Sequence, residues 1–170
     1  MLRRPRIECV LPICPKPQAR TRSRTKTGHH YTPKPMQRWR GACAAIMAQH
    51  TPSEPLDGVL IGDLLFVMPR PGHMHKTDKH GRPKFPAGLI FRAKTPDVDN
   101  LYKACTDVGT MVKWWKDDCH IVCGTMLRAI AEIDGQPRIE VMVSEARDTP
   151  EVIWDDLRRK RGAQQRSRQR

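Results

Sequence analysis

A chain of 170 residues is long enough to bury about two thirds of the surface its unfolded form exposes, so one domain can fold without disulfide or metal staples. Its 31 Lys and Arg against 18 Asp and Glu leave a formal charge of +13, which points to a polyanionic partner, nucleic acid ahead of anionic lipid. No apolar run approaches the roughly 18–20 residues that span a bilayer, and Glu8 and Pro12 break the only short apolar stretch near the start, so neither a membrane span nor a secretory leader is expected and the protein is placed in the cytoplasm. The six cysteines are then reduced thiols, and none of their spacings is that of a zinc knuckle. His73, His75 and His80 lie among Gly, Lys and Pro and read as a solvated loop, not a metal cluster.

Near-alternating apolar residues over 7–11 predict a first strand. Lys16, Arg20, Arg22, Arg24 and Lys26 then crowd into a segment with Pro15, Pro17 and Gly28 that belongs on the surface. A solvated charge run is the plain alternative; so many cations without an interleaved acid repel one another and are more stable beside phosphate, which makes the segment a nucleic-acid contact. Thr32 followed by Pro33 reads as an N-cap and first helical residue, and Met36, Trp39, Cys43, Ile46, Met47 and His50 recur at helical spacing as a packing stripe. The run 59–68 is the strongest strand, apolar enough for a central position, with Asp63 needing a partner or a place near an edge. Residues 69–94, rich in Pro, Gly, His and Lys, form a connection too long to be ordinary and are expected to be functional or disordered. Lys76, Lys79 and Arg82 give them the same sign as the first basic loop, so both can flank one DNA path.

The acidic residues are gathered elsewhere. Pro96 biases its neighbour towards an extended conformation, in which Asp97 and Asp99 point to one side and Val98 to the core. Asn100 or Asp99 is the expected cap of a helix with apolar positions Leu101, Ala104, Cys105, Val108 and Val112, and Lys103 lies in its first turn. Trp114 and Trp115 anchor its end, and Lys116, Asp117 and Asp118 turn the chain into a strand over 121–133. A hairpin through 134–137 should return as a strand over 138–145. Hard oxygen donors in this pattern suit Mg²⁺ or Mn²⁺, with Lys103 as a further cation beside a scissile phosphate. The plain alternative makes the aspartates caps and turn residues; the lysine, the second acidic pair and the two basic loops favour the metal site.

The run Asp97-Val98-Asp99-Asn100-Leu101-Tyr102-Lys103-Ala104, then Asp107, then Trp114-Trp115-Lys116-Asp117-Asp118 and Val122, resembles the signature of the RusA family of Holliday junction resolvases, common in phages and prophages. Arg20-Thr21-Arg22, Tyr31-Thr32-Pro33-Lys34 and Met68-Pro69-Arg70-Pro71 resemble segments of phage-type members. The resemblance implies a small α+β fold, a mixed sheet packed with two main helices, and a homodimer that makes Mg²⁺-dependent paired nicks in four-way DNA, with no small-molecule cofactor. On its signature the catalytic residues fall on Asp97, Asp99, Asp118 and Lys103, and the metal ligands on Asp97, Asp99 and Asp118, with Asp117 assisting. Asp107 sits at the spacing of a plain i,i+4 ion pair with Lys103. The domain is expected over 1–146, with 147–170 a basic tail that is helical over 151–157 at most and otherwise disordered. Two other readings remain: a non-catalytic basic nucleic-acid binder, and a metal nuclease acting on flaps or forks.

Overall fold

The computed structural model describes residues 6–18, 22–23 and 30–167. In chain order its elements are strand β1 (Ile7–Leu11), the short pair β2 (Arg22–Ser23) and β3 (His30–Tyr31), helix α1 (Lys34–Met47), strand β4 (Leu60–Met68), the two-residue strand β5 (Ile90–Phe91), helix α2 (Val98–Met111), strands β6 (Ile121–Cys123), β7 (Met126–Ile130) and β8 (Arg138–Glu145), and helix α3 (Pro150–Ser167). The fold is α+β. Six strands form one mixed sheet in the order β1-β8-β4-β7-β5, with β6 beside the first residues of β4.

The apolar run of β4 explains its place, since a strand buried along its length must be paired on both edges. It runs antiparallel to β8 on one side and parallel to β6 and β7 on the other. Its even-numbered residues Leu60, Leu64 and Phe66 face the helices, together with Ile7, Cys9 and Leu11 of β1 and Ile139, Val141 and Val143 of β8. Met36, Trp39, Cys43 and Met47 of α1 and Leu101, Ala104, Cys105 and Val108 of α2 close this core. Each Leu, Ile, Val, Phe or Met among them, fully buried, contributes on the order of 1.5–3 kcal/mol. Cys9, Cys43 and Cys105 are buried free thiols, and burial raises their pKa, that of Cys43 to about 12, so they pack as small apolar groups.

Several local expectations change. Helix α1 has Pro33, not Thr32, at its N-cap position, with Pro35 inside the first turn; His50 is exposed in the 3-10 turn that follows. The expected strand over 121–133 is two strands, because Gly124 turns the chain where its neighbour changes from the start of β4 to its middle. Thr125 closes the gap: its amide donates to the Asp63 carboxylate at 2.7 Å, which supplies the partner that Asp63 required. The turn after β7 forms, with the Gly135 amide donating to the Glu132 carbonyl at 3.1 Å, but no hairpin follows. Strand β4 lies between β7 and β8, since the turn residues specify a reversal and not which strands pair.

The long segment 69–94 is held down. Arg70 donates to the carbonyls of Met74, Pro86 and Ala131, and Met74 is the buried residue of the short 3-10 turn Gly72–His75. Helix α3 continues ten residues past Leu157, because Arg, Lys, Gln and Ala all favour a helix without needing an apolar face. Val152, Trp154 and Leu157 on it are exposed. No helix among the described residues is long and apolar enough to cross a membrane.

Arg138, at the start of β8, donates to both carboxylate oxygens of Glu132 at 3.0 Å and to Glu140 at 2.7 Å. The guanidinium holds the Glu132 carboxyl down at about 2 against its ordinary 4.5. A depressed carboxyl stabilises the fold above its unfolded pKa, and that contribution fades as pH falls from about 4.5 through about 2. Arg138→Met is therefore expected to unfold more easily at neutral pH, with its deficit relative to the parent chain shrinking across that acid window in denaturant titrations.

Candidate active site

Helix α2 is positioned from both ends. At its start Asp97 takes the N-cap position in an extended conformation (φ −68°, ψ 144°), and helical residues begin at Val98. The cap is thus two or three residues earlier than Asp99 or Asn100, and Asp97 and Asp99 are not related by strand alternation. Asp99 lies in the first turn, where its charge is favourable to the helix dipole. Val98 packs against the core, as expected.

At the other end the two tryptophans lock the helix. Trp114 is fully buried and its indole N–H donates to the Met47 carbonyl at 2.9 Å; Trp115 donates to Thr110 Oγ1 at 2.9 Å and meets Trp114 edge to face. Gly109 makes this possible. A Cβ there would stand 2.3 Å from the Trp115 ring, so the helix accepts a glycine that costs roughly 1 kcal/mol in propensity. Backbone bonds from Leu56 to Trp114 and from Lys116 to Leu56 then direct the chain into the 3-10 turn Asp118–His120.

That turn brings Asp118 against α2, where Lys103 Nζ is hydrogen bonded to Asp118 Oδ2 and to Asp107 Oδ1, the latter at 2.8 Å. The Asp107 and Asp118 carboxylates raise the Lys103 pKa and hold it charged. Asp99, Lys103 and Asp107 stand four residues apart and share one helix face. The i,i+4 pair expected of Lys103 and Asp107 is present, but Asp107 does more. Its Oδ2 also accepts from Arg40 Nη2 at 2.7 Å and from Gln18 Nε2 at 3.1 Å, and Arg40 bonds Gln18 Oε1 at 2.9 Å. The Gln18 amide in turn donates to the Asn100 carbonyl at 2.9 Å. Arg40 and Gln18 were not among the residues singled out from the sequence. The only trace of them there is Arg40 three residues before Cys43 of the buried stripe, at the margin of the packing face.

Asp97 and Asp99 are exposed, and neither carboxylate has a hydrogen-bond or ion-pair partner among the described residues. Asp117 caps the 3-10 turn, its Oδ1 accepting from the Cys119 amide at 2.9 Å, and this bond holds its carboxyl below the ordinary range. The structure brings Asp118, Lys103 and Asp107 together. It does not gather Asp97, Asp99 and Asp118 into one cluster: no group of three or more acidic, His or Cys side chains among the described residues is arranged to hold a metal. The donor chemistry still fits a hard divalent cation, with two unpartnered carboxylates at the head of α2 and a third on the adjoining turn.

The basic residues divide. Lys16, Lys76, Lys79 and Arg82 are exposed. Arg20, Arg24 and Lys26 lie outside the described residues, and Arg22 is described only as part of β2.

The model of the family "Endodeoxyribonuclease RusA" matches residues 12–144, a span that contains α1, α2, both acidic clusters and every strand of the sheet but β1 and the last residue of β8. The chain belongs to the RusA family of endodeoxyribonucleases. Comparison with curated proteins gives no match. As a RusA family member it is a hydrolase of DNA phosphodiesters, and the residues just described are the acidic and cationic groups within the matched span. In that light Asp107→Asn is expected to lower DNA cleavage about 10- to 100-fold with little change in DNA affinity, because it loosens Lys103 from Arg40 without removing a surface cation. Single-turnover rates and equilibrium binding measured side by side check this.

Proposed function

We propose that this protein resolves four-way DNA junctions by Mg²⁺-dependent paired hydrolysis of phosphodiesters, acting as a homodimer. The observation that carries the reading is the pairing of two unpartnered carboxylates, Asp97 and Asp99, with a charged lysine held against Asp118 one helical turn away, within a family of endodeoxyribonucleases. Asp97, Asp99 and Asp118 would hold the cation, Mg²⁺ or Mn²⁺, with Asp117 on the same turn as Asp118 to assist. When bound, such an ion lowers the pKa of water and neutralises charge at the phosphate.

The chain's own residues supply the rest. Lys103 has three N–H donors, of which Asp107 and Asp118 engage two. The third is available to a non-bridging phosphate oxygen, where a fixed cation favours the charge that develops in hydrolysis. Arg40 and Gln18 hold Asp107, and Asp107 holds Lys103, so the ammonium is oriented before DNA arrives. Lys16, Lys76, Lys79 and Arg82, with Arg20, Arg22, Arg24 and Lys26 of the first basic segment, are the proposed backbone contacts. Two copies related by a two-fold axis present two such sites to a symmetric junction.

Lys103→Ala is expected to reduce junction cleavage about 10²–10³-fold while affinity changes little, one cation among many contributing weakly to binding. Unchanged turnover would remove Lys103 from the site. The substrate class is tested by giving the protein a four-way junction, a flap and a matched linear duplex with Mg²⁺ and mapping the products. Symmetric paired nicks in the junction alone are expected. Preferred cutting of the flap would make it a nuclease for other branches, and binding without cleavage under any divalent ion would make it a basic DNA-binding protein.

A further inference from the structure

The turn that carries Asp117 and Asp118 is tied on both sides to one loop, residues 56–58, that leads into β4. Before the turn, the Leu56 amide donates to the Trp114 carbonyl at 2.9 Å, and Lys116 pairs with the Asp57 carboxylate. At its end, His120 Nδ1 stands 2.8 Å from the Gly58 carbonyl oxygen. A carbonyl only accepts, so Nδ1 carries the proton and donates. The Asp57 carboxylate also accepts from the Gly58 amide at 3.0 Å, which stiffens the loop between the two ties. Gly58 holds φ at +100° with nothing within 4 Å of an added Cβ, so glycine serves there for the direction of the backbone and not for room.

We infer that His120 is a positioning residue for Asp118: its bond to Gly58, together with the Lys116–Asp57 pair, fixes the angle at which the turn presents Asp118 to the head of α2. This rests on the proposed cation site at Asp97, Asp99 and Asp118. The need for such a hold follows from the charges. Lys103 engages Asp118 from α2, and packing does little to resist that pull, since none of Asp118, Cys119 and His120 is buried. A tie to the loop at the start of β4, which the sheet holds, keeps the carboxylate in place when a cation competes with Lys103 for it. Folding stability is a poor reason for the same ties. The Lys116 and Asp57 side chains are 60% and 57% exposed, and an exposed ion pair adds little to stability. The orientation of a metal ligand, by contrast, is sensitive to a single outer hydrogen bond.

The test measures Mn²⁺ binding to the full chain without DNA, from the EPR signal of free Mn²⁺, beside the Mg²⁺ dependence of junction cleavage. His120→Leu is expected to weaken Mn²⁺ binding about tenfold and to move cleavage to higher Mg²⁺, with most of the rate restored at saturation and melting close to that of the parent chain. His120→Asn, whose amide nitrogen can stand where Nδ1 stands, should recover both. Lys116→Met separates positioning from charge and from direct ligation. An ammonium has no lone pair for a cation, and removing a positive charge next to Asp117 should by itself tighten Mn²⁺; a loosened turn should weaken it instead. Lys116 is exposed, so this variant decides the matter even where His120→Leu fails to fold. Parental Mn²⁺ affinity in His120→Leu, no recovery in His120→Asn, or tighter binding in Lys116→Met would each overturn the anchor. A parent chain that neither binds Mn²⁺ nor cleaves would sink the proposed function itself, a result distinct from loss of the anchor alone.

Discussion

Asp97→Asn is expected to reduce cleavage of a four-way junction about 10³-fold or more, while junction affinity holds or rises. The substitution keeps the size and most of the hydrogen-bonding shape of the side chain and removes a hard anionic donor. Among the described residues Asp97 has no ion pair to lose and its side chain makes no capping bond, so the fold has little to forfeit. Near a polyanion the lost negative charge removes a repulsion, which is why binding should not suffer. The separation of the two readouts is the point: a cap residue would change stability and leave turnover alone. Cleavage time courses and gel-shift titrations of the same preparation, with a thermal melt as control, measure all three. An active Asp97→Asn protein would transfer the chemistry to other residues.

The second large effect concerns the frame beneath the site. At Gly124, between β6 and β7, a Cβ would stand 1.8 Å from the Gly62 carbonyl oxygen of β4. Both partners are backbone, so no rotamer change relieves the clash and the sheet itself must separate where Thr125 bonds Asp63 and Leu64. Gly124→Ala is expected to cost at least the upper part of the roughly 1–3 kcal/mol typical of overpacking, a fall in Tm of about 6–12 °C for a chain of this size. Gly41→Ala, in α1 with nothing within 4 Å of the added methyl, should instead stabilise by about 0.5–1 kcal/mol. Equal melting temperatures for the two variants would mean that the β6–β7 crossing is not a fixed part of the fold.

Much of this arrangement is legible in the residues. The bounds of β1, β4 and β8 follow from apolar patterning within a residue, and Leu101, Ala104, Cys105 and Val108 of α2 are buried as its spacing predicts, whereas Val112 is half-buried at the C-cap and Thr106 and Gly109 are buried without that signal. Lys103 beside Asp107 follows from helical geometry. What could not be read is what depends on pairing across the chain. The hairpin after β7 was expected from turn chemistry that is present, but the edge of β8 was taken by β4. Arg40 and Gln18 reach Asp107 from 67 and 89 residues away, distances over which spacing carries no signal. Gly62 is an exception that a closer reading yields, since a glycine inside an otherwise apolar strand marks close backbone approach. The three-carboxylate set rests on resemblance to the family, and the geometry around it places Lys103, not Asp97 or Asp99, against Asp118.

The central claim is that the carboxylates at the head of α2 and on the adjoining turn cut junction DNA only with a divalent cation. Its most direct test strips the protein with a chelator and follows four-way junction cleavage as Mg²⁺ is restored. No cleavage is expected at the start, then a saturable return of paired nicks with added Mg²⁺, and no return in Asp97→Asn or Asp99→Asn. Cleavage that persists in excess chelator, or that Mg²⁺ restores equally to the aspartate variants, would contradict it.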